Sequence, residues 1–219
     1  MIPFKPLFQI PSCLQHLYSG VLWRGDTSSK CIYLTFDDGP VPQVTPQVLD
    51  ILDCYGVRAT FFMVGENVSR YPDLARDVFL HGHMIGNHTY NHLCGLKTDD
   101  NRYFANVKKC DETIFYTLNH FACSFSPVSV LFRPPHGRTK PSQRRWLRSH
   151  GYQMVLWDVL THDYNPSYTS DDILNIVQRY TRNGSVIVFH DSIKSVHLLQ
   201  TLPVVIEYLK NKGYEFRTL

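Results

Sequence analysis

The sequence predicts an α/β fold, a distorted parallel (β/α) barrel of about seven strands. Three observations carry this expectation. Apolar, β-branched runs alternate with segments that carry helix-start and helix-stop residues. Several of these runs are apolar throughout, as strands covered on both faces are. Seven strand candidates over about 190 residues suit a compact, imperfect barrel better than a doubly wound sheet.

The strand-like runs fall at 31–36, 60–64, 84–86, 130–133, 153–157, 186–189 and 214–217. Between the first two, Thr45 reads as an N-cap followed by Pro46. Val48, Leu49, Ile51, Leu52 and Tyr55 then form a helical stripe that stops at Gly56. Tyr71-Pro72 opens a second helix that ends near Gly82. Thr98 caps a long third helix through Leu118, and Pro141 starts a fourth that runs to 150–151. Ser170, followed by Asp171 and Asp172, starts a fifth that ends at Asn183-Gly184. No linker, repeat or low-complexity tract divides the chain. We expect an N-terminal extension, 1–29, packed on one domain, 30–219.

Composition excludes whole classes of function. The chain has 219 residues and is 43% hydrophobic, which gives it a core and rules out disorder. Lys plus Arg is 22 against 19 for Asp plus Glu, and the net charge of +3 is too small for a nucleic-acid binder. No stretch approaches the roughly 18 apolar residues of a transmembrane helix. Pro3, Pro6 and Pro11 interrupt the apolar start, so no secretory signal is expected and the chain is assigned to the cytoplasm. Leu14, Leu17, Tyr18, Val21, Leu22 and Trp23 read as a helical lid on the core, with peripheral docking on a membrane as the alternative. Cys13, Cys31, Cys54, Cys94, Cys110 and Cys123 show no C-x-x-C spacing and are expected to be free thiols. Eleven histidines direct attention to metal or acid–base chemistry.

Polar residues gather where the strand runs end, and in βα-barrels those ends share one mouth. Asp37 and Asp38 follow the first run and His88 the third, with His92 four residues on. Arg133-Pro134-Pro135-His136-Gly137 follows the fourth, Asp158 and Asp163 the fifth, and His190-Asp191 the sixth. On a helical turn, His88 and His92 share a face and can grip one ion. Adjacent Asp37 and Asp38 diverge, so one can complete the ligand set while the other stays free as a base. Two histidines and a carboxylate describe both hydrolytic zinc sites and non-haem iron sites. The Pro-Pro-His-Gly turn after Arg133 is rigid, and its first backbone N–H after the prolines belongs to His136. His190 ends a buried run, which places it at the rim.

These segments resemble the motifs of the NodB-homology polysaccharide deacetylases. The resemblance covers about 30 to 219. Thr35-Phe36-Asp37-Asp38-Gly39-Pro40, His88-Thr89-x-x-His92, Arg133-x-Pro135-x-Gly137 and Val188-x-His190-Asp191 match in order. The resemblance implies a metal-dependent hydrolase that removes N-acetyl groups from an N-acetylated sugar or polysaccharide. It makes 30–219 the catalytic domain and implies a distorted barrel. It implies Asp37 as general base, and Asp38, His88 and His92 as ligands of one divalent metal, zinc first, with cobalt, nickel, manganese and iron as alternatives. Arg133 positions the base, the His136 backbone N–H joins the metal at the oxyanion, and His190 protonates the leaving amine. The fourth motif departs from the family pattern of two Asp and a Trp: Leu160 replaces the first Asp and Tyr164 the Trp, while Asp163 remains to orient His190. The expected partner is an N-acetylated glycan or glycan precursor, taken up by a monomer. The competing readings are a non-catalytic carbohydrate-binding relative and a non-haem iron enzyme.

Overall fold

The computed structural model describes residues 8–10, 15, 18, 20–119 and 131–219. Its strands are β1 (Val21–Leu22), β2 (Cys31–Asp37), β3 (Thr60–Met63), β4 (Met84–Asn87), β5 (Leu131–Phe132), β6 (Gln153–Val155), β7 (Val159–Leu160), β8 (Val186–His190) and β9 (Glu215–Phe216). They lie in the order β1-β6-β5-β4-β3-β2-β8-β7, and β9 pairs with the start of β2. The named pairings are parallel.

The connectivity forces this sheet to curl. Strands β6 and β7 stand second and last in the order, six spacings apart, which is about 29 Å across a flat sheet. Only four Cα steps separate Val155 from Val159, a reach of at most about 15 Å. The sheet therefore bends into a distorted barrel. The expected architecture is borne out, with the strand count near the seven predicted.

The seven predicted strands are present, most of them one or two residues shorter or longer than expected. The first residue of the 130–133 run lies outside the described residues, as do Leu14, Leu17, Cys13 and Cys123. Two strands were not anticipated. Val21–Leu22 pairs with Met154 and Val155, which corrects the helical reading at these two residues. Val159–Leu160 pairs with Ile187 and Val188. At two residues each, neither is long enough to show a period of its own.

Helices α1 (Thr45–Cys54), α2 (Gly65–Arg70), α3 (Pro72–Leu80), α4 (Asp100–Leu118), α5 (Pro141–Ser149), α6 (Ser170–Tyr180) and α7 (Leu198–Asn211) are ordered along the chain. Their caps differ from expectation. Val44 precedes α1, and the Thr45 hydroxyl instead binds Asp191 at 2.6 Å. Asp99, not Thr98, caps α4 by accepting the Arg102 N–H. Thr169 caps α6, which ends at Tyr180, short of Asn183. Helix α2 is too short to show a stripe, and Pro203 inside α7 hides it from sequence, since proline disfavours helix interiors.

Alternation along β2 sets up the site. Ile32, Leu34 and Phe36 join the large core beneath the helices. Cys31 and Tyr33 join Phe62, Leu131, Val155 and Val186 in a separate cluster. Period two places Thr35 and Asp37 on the same side as Cys31 and Tyr33.

Candidate active site

Asp37 is the last residue of β2, and its carboxylate is 3% exposed. Arg133, fully buried just after β5, donates from Nη1 to Asp37 Oδ1 at 2.6 Å and to Thr35 Oγ1 at 2.8 Å. Its Nη2 donates to the Leu156 carbonyl at 3.1 Å, and its guanidinium stacks 4.1 Å from the Phe62 ring centre. Gly86 lies against that same ring: a Cβ there would stand 2.6 Å from Phe62. A buried carboxylate is costly unless paired, and Arg133 supplies the pair and fixes its direction. Thr35, the partner two residues below Asp37, stands in the first motif, but the sequence alone assigned it no role.

Asp38 adopts φ 80°, and its side chain turns away from Asp37 toward two imidazoles. Asp38 Oδ1 lies 3.1 Å from His92 Nε2 and 3.6 Å from His88 Nε2. The two histidines do not share a helical turn, which corrects the sequence reading. His88 follows β4 directly, and the chain then reverses through Thr89 (φ 63°) and His92 (φ 52°). Helix α4 holds this loop: Asn106 Oδ1 accepts the Tyr90 and Asn91 N–H groups, and the Asn87 amide donates to Val107 O and Asp111 Oδ1. Asn87 Oδ1 accepts the Thr89 N–H at 2.7 Å. Asn67 ties down the Asp38 carbonyl, and Asp191 accepts the Gly39 N–H at 3.1 Å. A Cβ on Gly39 would collide with that Asp191 carboxylate.

One ligand atom each from Asp38, His88 and His92 lies within 4.8 Å of the others. The donor set fits a divalent metal. His88 Nδ1–H donates to the Arg133 carbonyl at 2.7 Å, which leaves its Nε2 lone pair facing Asp38. Burial lowers the His88 pKa to about 4, keeping that nitrogen unprotonated. Burial alone would raise the Asp38 pKa, but His92 and the charge of His190 hold it well below the usual range. Asp38 Oδ1 is itself buried without a hydrogen-bond donor, the state of an atom awaiting a cation.

His190 closes β8 and is gripped twice by Asp163. Its backbone N–H donates to Asp163 Oδ2 at 2.8 Å and its Nδ1 to Oδ1 at 2.8 Å. Burial opposes the imidazolium, but Asp163, with Asp37 and Asp38, raises the pKa to about 9. Tyr164 packs edge-on against the His190 ring at 4.8 Å. His136 adopts φ 60°, and its ring lies edge-on to His92 at 4.8 Å. The structure thus places the His136 ring beside the metal group, a side chain with no role assigned from sequence.

Asp37, Asp38, His88, His92, His136 and His190 line one cleft of about 550 Å³, with Arg133 and Asp163 buried behind them. Trp157, Leu160 and Tyr164 form part of its wall, and Lys97, Arg138 and Lys194 also line it. None of the three cations stood out in the sequence, because each is a solvent-facing residue on an irregular loop. Asp158, grouped by sequence with the mouth, does not line the cleft. It is buried against Arg182, which donates to both its oxygens, and Ser185 at the start of β8.

The polysaccharide deacetylase family profile matches residues 24–155. The chain belongs to this family. The resemblance read from its motifs is borne out, and this polysaccharide deacetylase family member is accordingly an enzyme of deacetylase type. Among its relatives is a peptidoglycan-N-acetylglucosamine deacetylase of Bacillus cereus, 37% identical over 200 residues, covering 90% of this chain and 70% of the relative. A peptidoglycan N-acetylglucosamine deacetylase crystallised with 4-naphthalen-1-yl-N-oxidanyl-benzamide superposes with a TM-score of 0.86 at 31% identity, covering 96% of this chain and 95% of the other. A CE4 family pseudoenzyme from Bacillus anthracis superposes at 0.81 with 23% identity, covering 94% of this chain and 69% of the other. That likeness concerns the fold alone, so activity has to be argued from the residues in the cleft.

Proposed function

We propose that this chain is a metal-dependent hydrolase that removes the N-acetyl group from N-acetylglucosamine units of a glycan. One observation carries the reading. A base held by a buried arginine, a three-residue metal group and an acid held by a buried carboxylate converge on one cleft from β2, β4, β5 and β8. Relatives named as N-acetylglucosamine deacetylases over most of the chain's length support the substrate class.

Asp38, His88 and His92 hold the metal, zinc in our assignment; when bound, such an ion polarises a carbonyl and lowers the pKa of water. Asp37, paired with and oriented by Arg133, accepts the proton of the attacking water. The His136 backbone N–H donates to the oxygen of the tetrahedral intermediate, and loss of one such donor typically costs about 2.7–4 kcal/mol of barrier. An amine leaves poorly as an anion. His190, charged at neutral pH through Asp163, delivers a proton to the departing nitrogen.

Acetate release tests this reading. The metal-stripped protein, incubated with N-acetylglucosamine oligomers, is expected to be silent and to recover with zinc more fully than with cobalt, nickel, manganese or iron. Activity that survives complete metal removal overturns the metal role, and zinc-loaded protein that releases no acetate from any N-acetylated glycan overturns the hydrolase.

A further inference from the structure

The acid of the reaction has one firm grip and one that reaches back to a distant segment. Asp163 holds His190 Nδ1, which leaves Nε2 to carry a proton into the cleft. A hydrogen bond at one ring nitrogen fixes that atom but not the tilt of the ring. The contact on the ring itself is Tyr164, edge-on at 4.8 Å. The Tyr164 hydroxyl lies 3.1 Å from His162 Nδ1. His162 stands at φ 58°, a left-handed conformation that a residue other than glycine keeps only where its surroundings hold it. No step of the chemistry above uses His162.

What holds His162 is the N-terminal segment. Phe8 meets the His162 ring edge-on at 5.3 Å and the Tyr168 ring edge-on at 5.9 Å, and it stacks with Tyr180 at 5.8 Å. Tyr168 in turn stacks on His162 at 5.5 Å. The backbone joins in. The Thr161 N–H donates to the Val188 carbonyl on β8, and alternation along the strand sends the Leu160 N–H the other way, where the Phe8 carbonyl accepts it at 2.9 Å. The Gln9 amide donates to Asp158 at 3.2 Å and to the Tyr180 carbonyl at 3.1 Å. Residues 8 and 9 thus bind β7, the turn after it and the end of α6. From Phe8 a chain of contacts runs through His162 and Tyr164 to the acid.

We propose that the N-terminal segment positions the acid: Phe8 clamps His162, His162 orients Tyr164 through its hydroxyl, and Tyr164 sets the tilt of the His190 ring and so the aim of its Nε2 proton. The proposal rests on the deacetylase reading above and adds positioning residues to it. Aim matters at one step. As the C–N bond breaks, its electron pair passes to nitrogen, and the His190 proton has to arrive there for a neutral amine to leave. The other groups of the site stand apart from this chain of contacts, because Asp37 and Asp38 come from the end of β2 and His88 and His92 from the loop after β4.

The test sets two substrates against each other on the zinc-loaded protein. Acetate release from the N-acetylglucosamine tetramer needs a proton at the departing nitrogen. Hydrolysis of 4-nitrophenyl acetate does not, since nitrophenolate leaves as an anion. Phe8→Ala and His162→Asn are the variants, the second because Asn tolerates a positive φ. Each is expected to lower kcat on the tetramer about tenfold with KM and zinc content unchanged, as small misplacements of reacting groups cost up to about 10²-fold. Ester hydrolysis should stay within about twofold of wild type. Both substrates are read on one preparation, so loss of folded protein cancels from the ratio. Tyr164→Phe keeps the ring and removes the hydroxyl; it should lower the amide-to-ester ratio too, and adding Phe8→Ala to it should cost little more, because links of one chain are not additive. A ratio unchanged in Phe8→Ala and His162→Asn, an equal fall on both substrates, or full additivity in the double variant overturns the proposal and leaves the deacetylase standing. Wild-type protein that releases no acetate from the tetramer or any other N-acetylated glycan overturns the deacetylase reading, and the positioned acid with it.

Discussion

Asp37 and Asp38 are neighbours in sequence and opposites in environment. One is paired with a buried guanidinium and the other faces two imidazoles. We expect Asp37→Asn to keep stoichiometric zinc while turnover falls at least about a hundredfold, since an amide accepts no proton. His92→Ala is expected to lose both metal and activity, because three protein ligands leave no spare. Metal content by mass spectrometry separates the two, and equal metal loss in both variants would reverse the assignment. His190 gives a pH signature. Its pKa rises from an ordinary 6.5 to about 9, so the imidazolium stabilises the fold fully below pH 6.5 and that contribution disappears as pH climbs through 9. Asp163→Asn removes the counter-charge. It should shift the alkaline limb of kcat/KM to lower pH and flatten the fall in denaturation midpoint between about pH 6.5 and 9. A wild-type limb retained in the variant makes Asp163 a bystander.

Elements decide whether the metal group assembles at all. The loop from His88 to His92 has no regular structure, and helix α4 positions it. Asn87 reaches Asp111, which also accepts the Tyr152 hydroxyl. Burial raises the Asp111 pKa to about 6, the signature of a carboxyl held in a dry setting for its hydrogen bonds. Asp111→Ala is expected to weaken zinc binding about 10- to 100-fold, the range for partners behind metal ligands, without touching a ligand. Competition with a chelator measures it, and unchanged affinity with a lowered melting point would reduce Asp111 to a packing role. The sequence hinted at this through His-x-x-x-His spacing but supplied the wrong geometry. Two residues of positive φ, Thr89 and His92, replace the helical turn, and such a reversal in non-glycine residues carries no propensity signal.

At the scale of the whole molecule, the curled sheet is held by contacts distant in sequence. The connector between β6 and β7 places Asp158 under Arg182, Ser185, Arg24 and Gln9, which joins the N-terminal segment to the start of β8. Asp158→Ala leaves Ser185 without a buried acceptor while Arg182, 38% exposed, stays solvated, and is expected to cost about 1–3 kcal/mol of stability. Urea denaturation reads the loss, with kcat on the surviving folded protein expected near wild type. A loss under about 1 kcal/mol would show that the network is solvated and marginal.

Taken alone, the order of residues determined much of this protein. Continuous apolar runs identified the buried strands, because a strand covered on both faces has no polar face to show. Acidic and imidazole side chains at the ends of those runs identified Asp37, Asp38, His88, His92 and His190, because parallel strands bring their carboxyl ends to one rim. What tertiary structure decided is how those groups are held and what surrounds them. The two-residue strands exist only as partners of longer ones. The reversal at His92 exists only because α4 satisfies its backbone. Lys97, Arg138 and Lys194 come from segments far apart in the chain and line one cleft only in the folded sheet. Local sequence encodes what a segment does with its own backbone and faces; the curling of the sheet, and the company each side chain keeps there, depends on residues a hundred positions away.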